Sequence, residues 1–527
     1  MRAASGSGRL SSPERPCVAR TNDFRHAHCP IRPQAPFFRG EFFAPTTCML
    51  AVPHASRSQQ TRPTVCVDLD GTLIAGDLMW ESLLLLIKKA PLAALMVPLW
   101  MLRGRAFLKH QIATHVTLDP GTLPYRDEVL AFLRHSHSEG RNLVLATGAD
   151  EIHARAIATH LGIFSDVLAS DGRRNLSGRH KAARLAERFG AHRFDYLGNA
   201  WADVPSWLAA GRAIVVAAPA RLLQHLKPRV EIASVLASRP ALLRSVIRAM
   251  RPHQWVKNLL VFVPVIGAHR LFDVEALRLT VFTVVAFSLC ASAIYVANDM
   301  LDIHADRQHP RKRHRPFAAG ELSIPAGAVM SVSLTAMALG VAVAGVSWSL
   351  ALTLLCYVAA NAAYSFRLKR EPVADVFLLT ALYEMRIVAG AVATSIPLST
   401  WLLAFALFFF LSLACVKRFM EVSATGGAPG RGYAAQDALW MHSIGTSSGY
   451  MAILVLALYV NSPEVMRLYR QPHLLWILCP VLLYWLSRLW FAAGRGKVHD
   501  DPVVEAMRDP MSYVAGAVSA ALVLAAL

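Results

Sequence analysis

At 527 residues the chain exceeds one compact domain, and with 54% hydrophobic and only 17% charged residues it lacks the composition of a wholly soluble protein. The net charge of +19 is gathered at the amino terminus and in short loops between apolar runs, which fits anionic lipid and phosphate partners and excludes nucleic acid, since that would need a basic face on a soluble module. The eight cysteines form no CxxC pair, so neither a disulfide framework nor a zinc site is expected.

Residues 1–61 are rich in Arg, Pro and Ser, with Glu14, Asp23 and Glu41 as their acids. They show no apolar signal core and no well-formed amphipathic helix, and are expected as a disordered basic extension, with Met49 as an alternative start.

From Thr64 the character changes. Val65-Cys66-Val67 predicts a strand ending in Asp68-Leu69-Asp70-Gly71-Thr72, which presents two carboxylates at the carboxyl end of a parallel sheet, where open α/β folds bind ligands. A second strand, 142–146, ends on Thr147. Lys181 follows at the start of a helix, and a third strand leads into Gly198-Asn199-Ala200-Trp201-Ala202-Asp203. In this order the motifs resemble the haloacid dehalogenase (HAD) superfamily of phosphatases. The resemblance implies a HAD-like domain over 62–220 with a helical cap over about 77–125. It also implies Asp68 as nucleophile, Asp70 as general acid/base, Thr147 and Lys181 as phosphoryl ligands, and Mg²⁺ held by Asp68, Asp70 and Asp203. Asn199 stands where that family usually has Asp, which leaves open either a working phosphatase or a catalytically silent domain. A carboxylate attacks a phosphomonoester only where a cation and donors neutralise the equatorial oxygens, so the residue types suit the chemistry.

Within the cap, Met79 to Leu102 is apolar but interrupted by Lys88, Lys89, Pro91 and Pro98. Two amphipathic helices resting on the membrane are expected rather than a span, which would put the halves of the sheet site on opposite sides. Residues 221–250 read as a basic linker helix.

From Arg251 nine apolar segments follow, at about 254–270, 274–298, 324–346, 348–366, 373–395, 398–420, 442–461, 472–493 and 509–527. Lys and Arg concentrate in alternate loops, so the positive-inside rule predicts an inner-membrane, multi-pass bundle of about nine helices, with the sheet domain and both acid-rich regions on the cytoplasmic face. The fold class expected is therefore two-domain: a HAD-like α/β domain and an all-α membrane bundle over 251–527.

Asn298-Asp299-Met300-Leu301-Asp302-Ile303-His304-Ala305-Asp306 closes the second apolar segment. Its polar residues recur three and four apart, on one helical face. Oxygen ligands at a membrane boundary, followed by Arg311, Lys312, Arg313 and Arg315, suit a Mg²⁺-chelated polyphosphate. A second polar helix end carries Tyr364, Lys369 and Asp375. Two such ends on a membrane bundle resemble the UbiA superfamily of intramembrane prenyltransferases, although the second motif there is commonly DxxxD and position 379 here is Leu. Five ordered motifs (251–258, 298–306, 309–316, 364–375 with 417–418, and 500–504) resemble its decaprenyl-phosphate phosphoribosyltransferase branch over about 245–527.

That resemblance implies transfer of phosphoribose from phosphoribosyl pyrophosphate (PRPP) to a polyprenyl phosphate. Asn298, Asp302 and Asp306 are expected to gather Mg²⁺ on the diphosphate, with Asp299 as a ligand or orienter. Arg311, Lys312, Arg313 and Arg315 are expected to hold phosphate oxygens, and Tyr364, Lys369 and Asp375 to form the other wall. Asp302 and Asp375 are taken as catalytic. Lys257 and Lys417, like Arg418, either contact substrate or mark the inner leaflet. Arg386 either meets a substrate phosphate or pairs with Glu384 or across the bundle. The competing readings are an aromatic prenyltransferase using a prenyl diphosphate, a transferase of another sugar-1-diphosphate, and a non-enzymatic scaffold or transporter. Oligomeric state and lipid length leave no signature.

Overall fold

The computed structural model describes residues 63–237, 241–428, 431–497 and 502–527; the extension over 1–61 and the acids Asp500 and Asp501 lie outside them.

The sheet half runs β1 (Thr64–Val67), α1 (Leu78–Lys89), α2 (Pro91–Ala94), α3 (Val97–Leu102), α4 (Arg105–His115), α5 (Asp127–Ser138), β2 (Leu143–Asp150), α6 (Glu151–Leu161) and β3 (Asp166–Ser170). It continues through α7 (Arg179–Phe189), β4 (Phe194–Gly198), α8 (Val204–Ala209), β5 (Arg212–Val216), α9 (Ala220–Leu226) and β6 (Ile232–Leu236). The strands pair in parallel in the order β3-β2-β1-β4-β5-β6. Alternate residues feed two cores, Val65, Val67, Leu143 and Leu145 on one face and Cys66, Val144 and Ala146 on the other. The chain reverses direction across the sheet between β1 and β4, which opens a crevice beyond their carboxyl ends.

Two expectations need correction. The stretch over 221–250 is not one linker helix: β-branched Ile232 and Val235 lie in β6, which extends the sheet edge through Ala213↔Ile232 pairing. The apolar cap stretch forms three helices rather than two, because Pro91 and Pro98 each open a new one. On α2 and α3, Leu92, Leu95, Leu99, Met101 and Leu102 or their immediate flanks stay exposed.

The second half runs α10 (Leu242–Met250), a 3-10 stretch Pro252–Phe262, α11 (Val263–Gly267), α12 (Val274–Leu301), α13 (Ile303–Gln308), α14 (Ile324–Gly345) and α15 (Trp348–Phe366). Then come α16 (Ala374–Thr394), α17 (Thr400–Thr425), α18 (Asp437–Val460), α19 (Pro463–Leu468), α20 (Leu478–Gly494), α21 (Pro502–Ala506) and α22 (Pro510–Ala526). Among the described residues seven helices are long and apolar enough to cross a membrane: α12, α14, α15, α16, α17, α18 and the Pro472–Gly494 stretch that contains α20. The protein is thus a multi-pass membrane protein. The other two expected segments are present but shorter. Pro264 follows a tight 3-10 stretch in the first, and the last is α22, whose 17 residues reach about 26 Å against a hydrocarbon core of about 30 Å.

The halves share a core. Leu84 of α1 packs on Ala249, Val296, Met300, Ile303 and Phe317. Gly320, at φ +71°, lies so close to Ala75 that a Cβ would stand 2.7 Å from its carbonyl carbon.

Candidate active sites

The crevice gathers the acids that the first strand and the fourth deliver. Lys181, on the first turn of α7, is buried, with Nζ 2.7 Å from Asp68 Oδ1, 3.4 Å from Asp203 Oδ1 and 2.9 Å from the Tyr196 hydroxyl. That hydroxyl donates to Asp203 Oδ1 at 2.8 Å, and Asp203 Oδ2 accepts the backbone N–H groups of Asn199 and Ala200, each at 3.1 Å. Burial raises the Asp68 carboxyl, Lys181 lowers it and Asp203 raises it, leaving it at about 6. Burial, with Asp77 adding to it, pushes Asp70 up to about 8. The two carboxyls are thus pushed apart, Asp70 being raised more strongly than Asp68, which Lys181 holds down. Thr147 is buried, its hydroxyl accepting the Ala149 N–H at 3.0 Å.

Asn199 accepts the Thr72 hydroxyl at 3.2 Å. Its side chain lies over Gly71, where a Cβ would stand 2.2 Å from Nδ2 and φ is +75°, so only glycine serves there. Sequence reasoning missed Lys109 of α4. Its Nζ donates to the Gly148 carbonyl and to Asn175 Oδ1, and the ammonium lies within the field of Asp70 and Asp77 while burial lowers its pKa. An isolated lysine on a cap helix carries no motif, so nothing in the sequence marked it.

In the membrane half, α12 ends where Asp302 caps it, and α13 carries Asp306. Asp302 meets Lys369 Nζ at 3.0 and 3.1 Å through its two oxygens and Lys88 Nζ at 3.1 Å. Burial would raise its carboxyl, but Lys369 and Lys88 outweigh burial and hold it below its ordinary value. Asp306 accepts Arg315 Nη1 at 2.7 Å; burial raises its carboxyl, only partly offset by Arg315. Asp299 is buried, paired with Arg251 and with Arg315 at 3.2 Å. Asn298 Oδ1 accepts the Ser365 hydroxyl at 2.6 Å, tying α12 to α15.

The other wall is a closed knot. Tyr364 donates to Asp375 Oδ1 at 2.9 Å and accepts from Arg418 Nη2 at 2.7 Å and Arg431 Nη1 at 2.8 Å. Arg418 also holds both oxygens of Asp375, and the two side chains are 1% and 0% exposed. Glu421 is bound by both Arg418 and Arg431.

Of the basic cluster, Arg315 turns onto the acids and Lys312 is half-buried near Asp306 and Glu421, its pKa lowered by burial. Arg311 and Arg313 are exposed, on either side of the half-buried Lys312 in the 3-10 turn Lys312–His314. Lys257 is buried with its Nζ 5.5 Å from the Tyr383 ring, and Lys417 is half-buried beside Arg418. Arg386 is buried deeper, donating to Asn258 Oδ1 and the Tyr357 hydroxyl, each at 3.0 Å, and stacking on Phe287. Its side-chain partners are thus Asn258 and Tyr357, across the bundle, and it also donates to the Leu382 carbonyl on its own helix.

Residues 260–503 match the UbiA prenyltransferase family. The decaprenyl-phosphate phosphoribosyltransferase of Mycobacterium tuberculosis is 36% identical over 237 residues, which cover 43% of this chain and 77% of that protein. The chain belongs to the UbiA prenyltransferase family. It is also similar to nodulation protein NoeC of Azorhizobium caulinodans, 39% identical over 271 residues that cover 50% of this chain and 88% of that one. Protein y4nM of Sinorhizobium fredii is 36% identical over 475 residues, 88% of this chain and 91% of its own length, so its likeness extends into the sheet half.

For a UbiA family member the question of Mg²⁺ turns on donors. Among the described residues no three His, Cys, Asp or Glu side chains are gathered as a metal cage. The available donors are nevertheless hard oxygens, and Asp299 Oδ2 is buried without a hydrogen-bond partner. The donor chemistry fits Mg²⁺ arriving with a diphosphate; Asp302 and Asp306 would exchange their Lys and Arg partners in the process.

Besides Lys109, the residues missed in this family member's sequence are Lys88, Arg251, Arg307, Glu421 and Arg431. Arg251 stood inside a motif without a role of its own; the others are brought in by tertiary folding alone.

Proposed function

We propose that this UbiA-family chain transfers 5-phosphoribose from PRPP to a polyprenyl phosphate on the cytoplasmic face of the inner membrane, and that its sheet half hydrolyses the 5-phosphate of the product. The observation that carries the reading is the density of cations around the Asp-rich helix end. Arg251 and Arg315 bracket Asp299, Lys369 and Lys88 bracket Asp302, and Lys312 stands beside Asp306. PRPP brings a diphosphate and a monophosphate, so it needs more cationic partners than a prenyl diphosphate does. The similarity to decaprenyl-phosphate phosphoribosyltransferases supports the same choice.

In the transfer, the bond from C1 of ribose to the diphosphate oxygen breaks with its electron pair leaving on pyrophosphate. A lipid phosphate oxygen, already an anion, forms the new bond to C1 from the opposite face. No proton moves, so catalysis is positioning and charge stabilisation. Arg315, Lys312 and Lys369 would hold the departing oxygens, and Asn298, Asp299, Asp302 and Asp306 would hold Mg²⁺, which supplies further charge neutralisation. The Asp375–Arg418–Tyr364 knot fixes the wall these groups stand on. In the sheet half, Asp68 would attack phosphorus while Asp70 gives its proton to the leaving ribose oxygen. A water then releases phosphate from Asp68, with Asp70 taking the proton back.

Purified full-length protein supplied with PRPP, polyprenyl phosphate and Mg²⁺ tests this. Pyrophosphate release that Asp302→Asn abolishes, followed by phosphate release that Asp68→Asn abolishes, supports both halves. Competition by a prenyl diphosphate but not by PRPP would sink the donor assignment. A second reading, a catalytically silent sheet half, is favoured by the neutral Asn199; phosphate release unchanged by Asp68→Asn would establish it.

A further inference from the structure

One helix touches both sites. The first N–H of α1, that of Leu78, donates to Asp70 Oδ1 at 2.9 Å. In the last turn of α1, Lys88 Nζ donates to Asp302 Oδ1 at 3.1 Å and to the Leu301 carbonyl at 3.2 Å. The two contacts are about 15 Å apart along the axis, from the rise of an α-helix. The helix is held in place by Glu81, whose buried carboxylate takes two hydrogen bonds from Arg307 of α13, at 2.7 and 2.8 Å.

Asp302 thus faces two ammonium groups, Lys369 from its own half and Lys88 from the sheet half, and one carboxylate leaves a net positive charge between them. Beside Lys88 lies a cavity of about 680 Å³ between α1 and the Asp-rich helix end, lined among others by Glu81, Lys88, Lys89, His304, Gln308 and Arg370. The charge of Glu81 is already answered by Arg307, and Lys88 shares Asp302 with Lys369, so the polar part of this lining is net cationic, while Leu84, Leu85, Met300, Leu301, Ile303 and Ala305 form its apolar part. Its size is that of a small-ligand site, and its donors (two ammonium groups, a guanidinium, an amide and an imidazole) suit a phosphate monoester.

We propose that this cavity binds the phosphomonoester end of a phosphosugar, and that Lys88, contributed by the sheet half, is one of the residues that hold it. The proposal rests on the donor reading above and adds an orientation to it. The diphosphate faces Asp299, Asp302 and Arg315, while the 5-phosphate points into the cavity along α1, toward the half that would remove it. Neither Lys88 nor Lys89 lies within the segment that matches the UbiA family, residues 260–503, so this subsite is a property of the two-part chain.

Calorimetric titration of the detergent-solubilised full chain with ribose 5-phosphate, pyrophosphate and PRPP tests it. Lys88→Ala should weaken ribose 5-phosphate about tenfold or more and pyrophosphate by less than about threefold, as the loss of one charge-assisted contact predicts, and Lys88→Arg should restore binding. Arg370→Ala should act in the same direction. Ribose 5-phosphate that fails to bind the unmodified chain, or binds Lys88→Ala undiminished, overturns the proposal. So does an equal loss of pyrophosphate, which would assign Lys88 to the diphosphate. Lys88-dependent binding of ribose 5-phosphate without any binding of PRPP would leave the cavity standing and remove the donor reading.

Discussion

Glu81 and Arg307 meet through two parallel hydrogen bonds, Nη1 to Oε2 at 2.7 Å and Nη2 to Oε1 at 2.8 Å, with both side chains buried between the sheet half and the membrane half. A buried ion that loses its partner costs about 3–5 kcal/mol, whereas replacing the pair by apolar groups of similar volume is close to neutral. Glu81→Ala should therefore lower the thermal stability of the solubilised protein and speed proteolysis near the cap. The double variant Glu81→Leu/Arg307→Met should recover most of the loss. Equal melting temperatures for Glu81→Ala and the unmodified chain would show that the pair does not hold the halves together.

The Tyr364 hydroxyl joins Asp375, Arg418 and Arg431. Tyr364→Phe should leave these buried charges under-satisfied, at about 1–3 kcal/mol in stability, and reduce pyrophosphate release while the chain stays folded. Asp375→Asn should be worse, because Arg418, 1% exposed, loses the carboxylate charge that it holds through both oxygens. Melting curves and initial rates on the same preparations check both.

Asp70 gives a pH prediction. Its carboxyl is raised from 3.8 to about 8 in the folded chain, by burial first and then by Asp77. A raised folded value means that the stabilising effect of the proton is complete below pH 3.8 and is lost as pH climbs toward 8. In EDTA, Asp70→Asn keeps an acceptor for the Leu78 N–H but escapes this loss. Its melting temperature should exceed that of the parent by a margin that widens from pH 5 to pH 8, on the order of several degrees. A margin that narrows over that window would contradict the assignment of Asp70 as the protonated acid.

Asn199→Asp restores the acid expected after Gly198 without changing shape, so the close approach over Gly71 is kept. An added anionic oxygen over the Gly71-Thr72 turn, in the loop that carries Asp203, should tighten Mg²⁺ binding to the sheet half by about tenfold, read as a larger rise in melting temperature per added Mg²⁺. An unchanged Mg²⁺ response would argue that this position faces away from the ion.

The parts of the fold legible in the sequence were those written locally. Asp68-Leu69-Asp70-Gly71-Thr72 follows its strand directly, and Lys181 opens its helix, so both sit where their neighbours put them. Apolar length identified the membrane helices, although neither Pro252–Gly267 nor α22 is long enough to count among the seven. Lys417 and Arg418 look equivalent as text, and only the phase of α17 buries Arg418 against Asp375. The Arg311–Arg315 cluster reads as uniformly cationic, yet Arg311 and Arg313 stand at the surface while Arg315 pairs with Asp299 and Asp306. Lys88 could not be found at all, since 214 positions separate it from Asp302. β6 was hidden by the basic flanks that made residues 221–250 read as a linker.

Because α1 contacts Asp70 at one end and Asp302 at the other, the number of residues between Leu78 and Lys88 acts as a ruler with an angular scale. One residue inserted in that interval would swing Lys88 about 100° around the helix, away from Asp302. Four inserted residues would nearly restore its bearing but push it about 6 Å farther on. A change in cap length is therefore better tolerated around α2, which lies past the ruler and before the site residue Lys109 of α4, than inside α1. Chimeras that exchange the sheet half between related chains will need junctions that preserve this count.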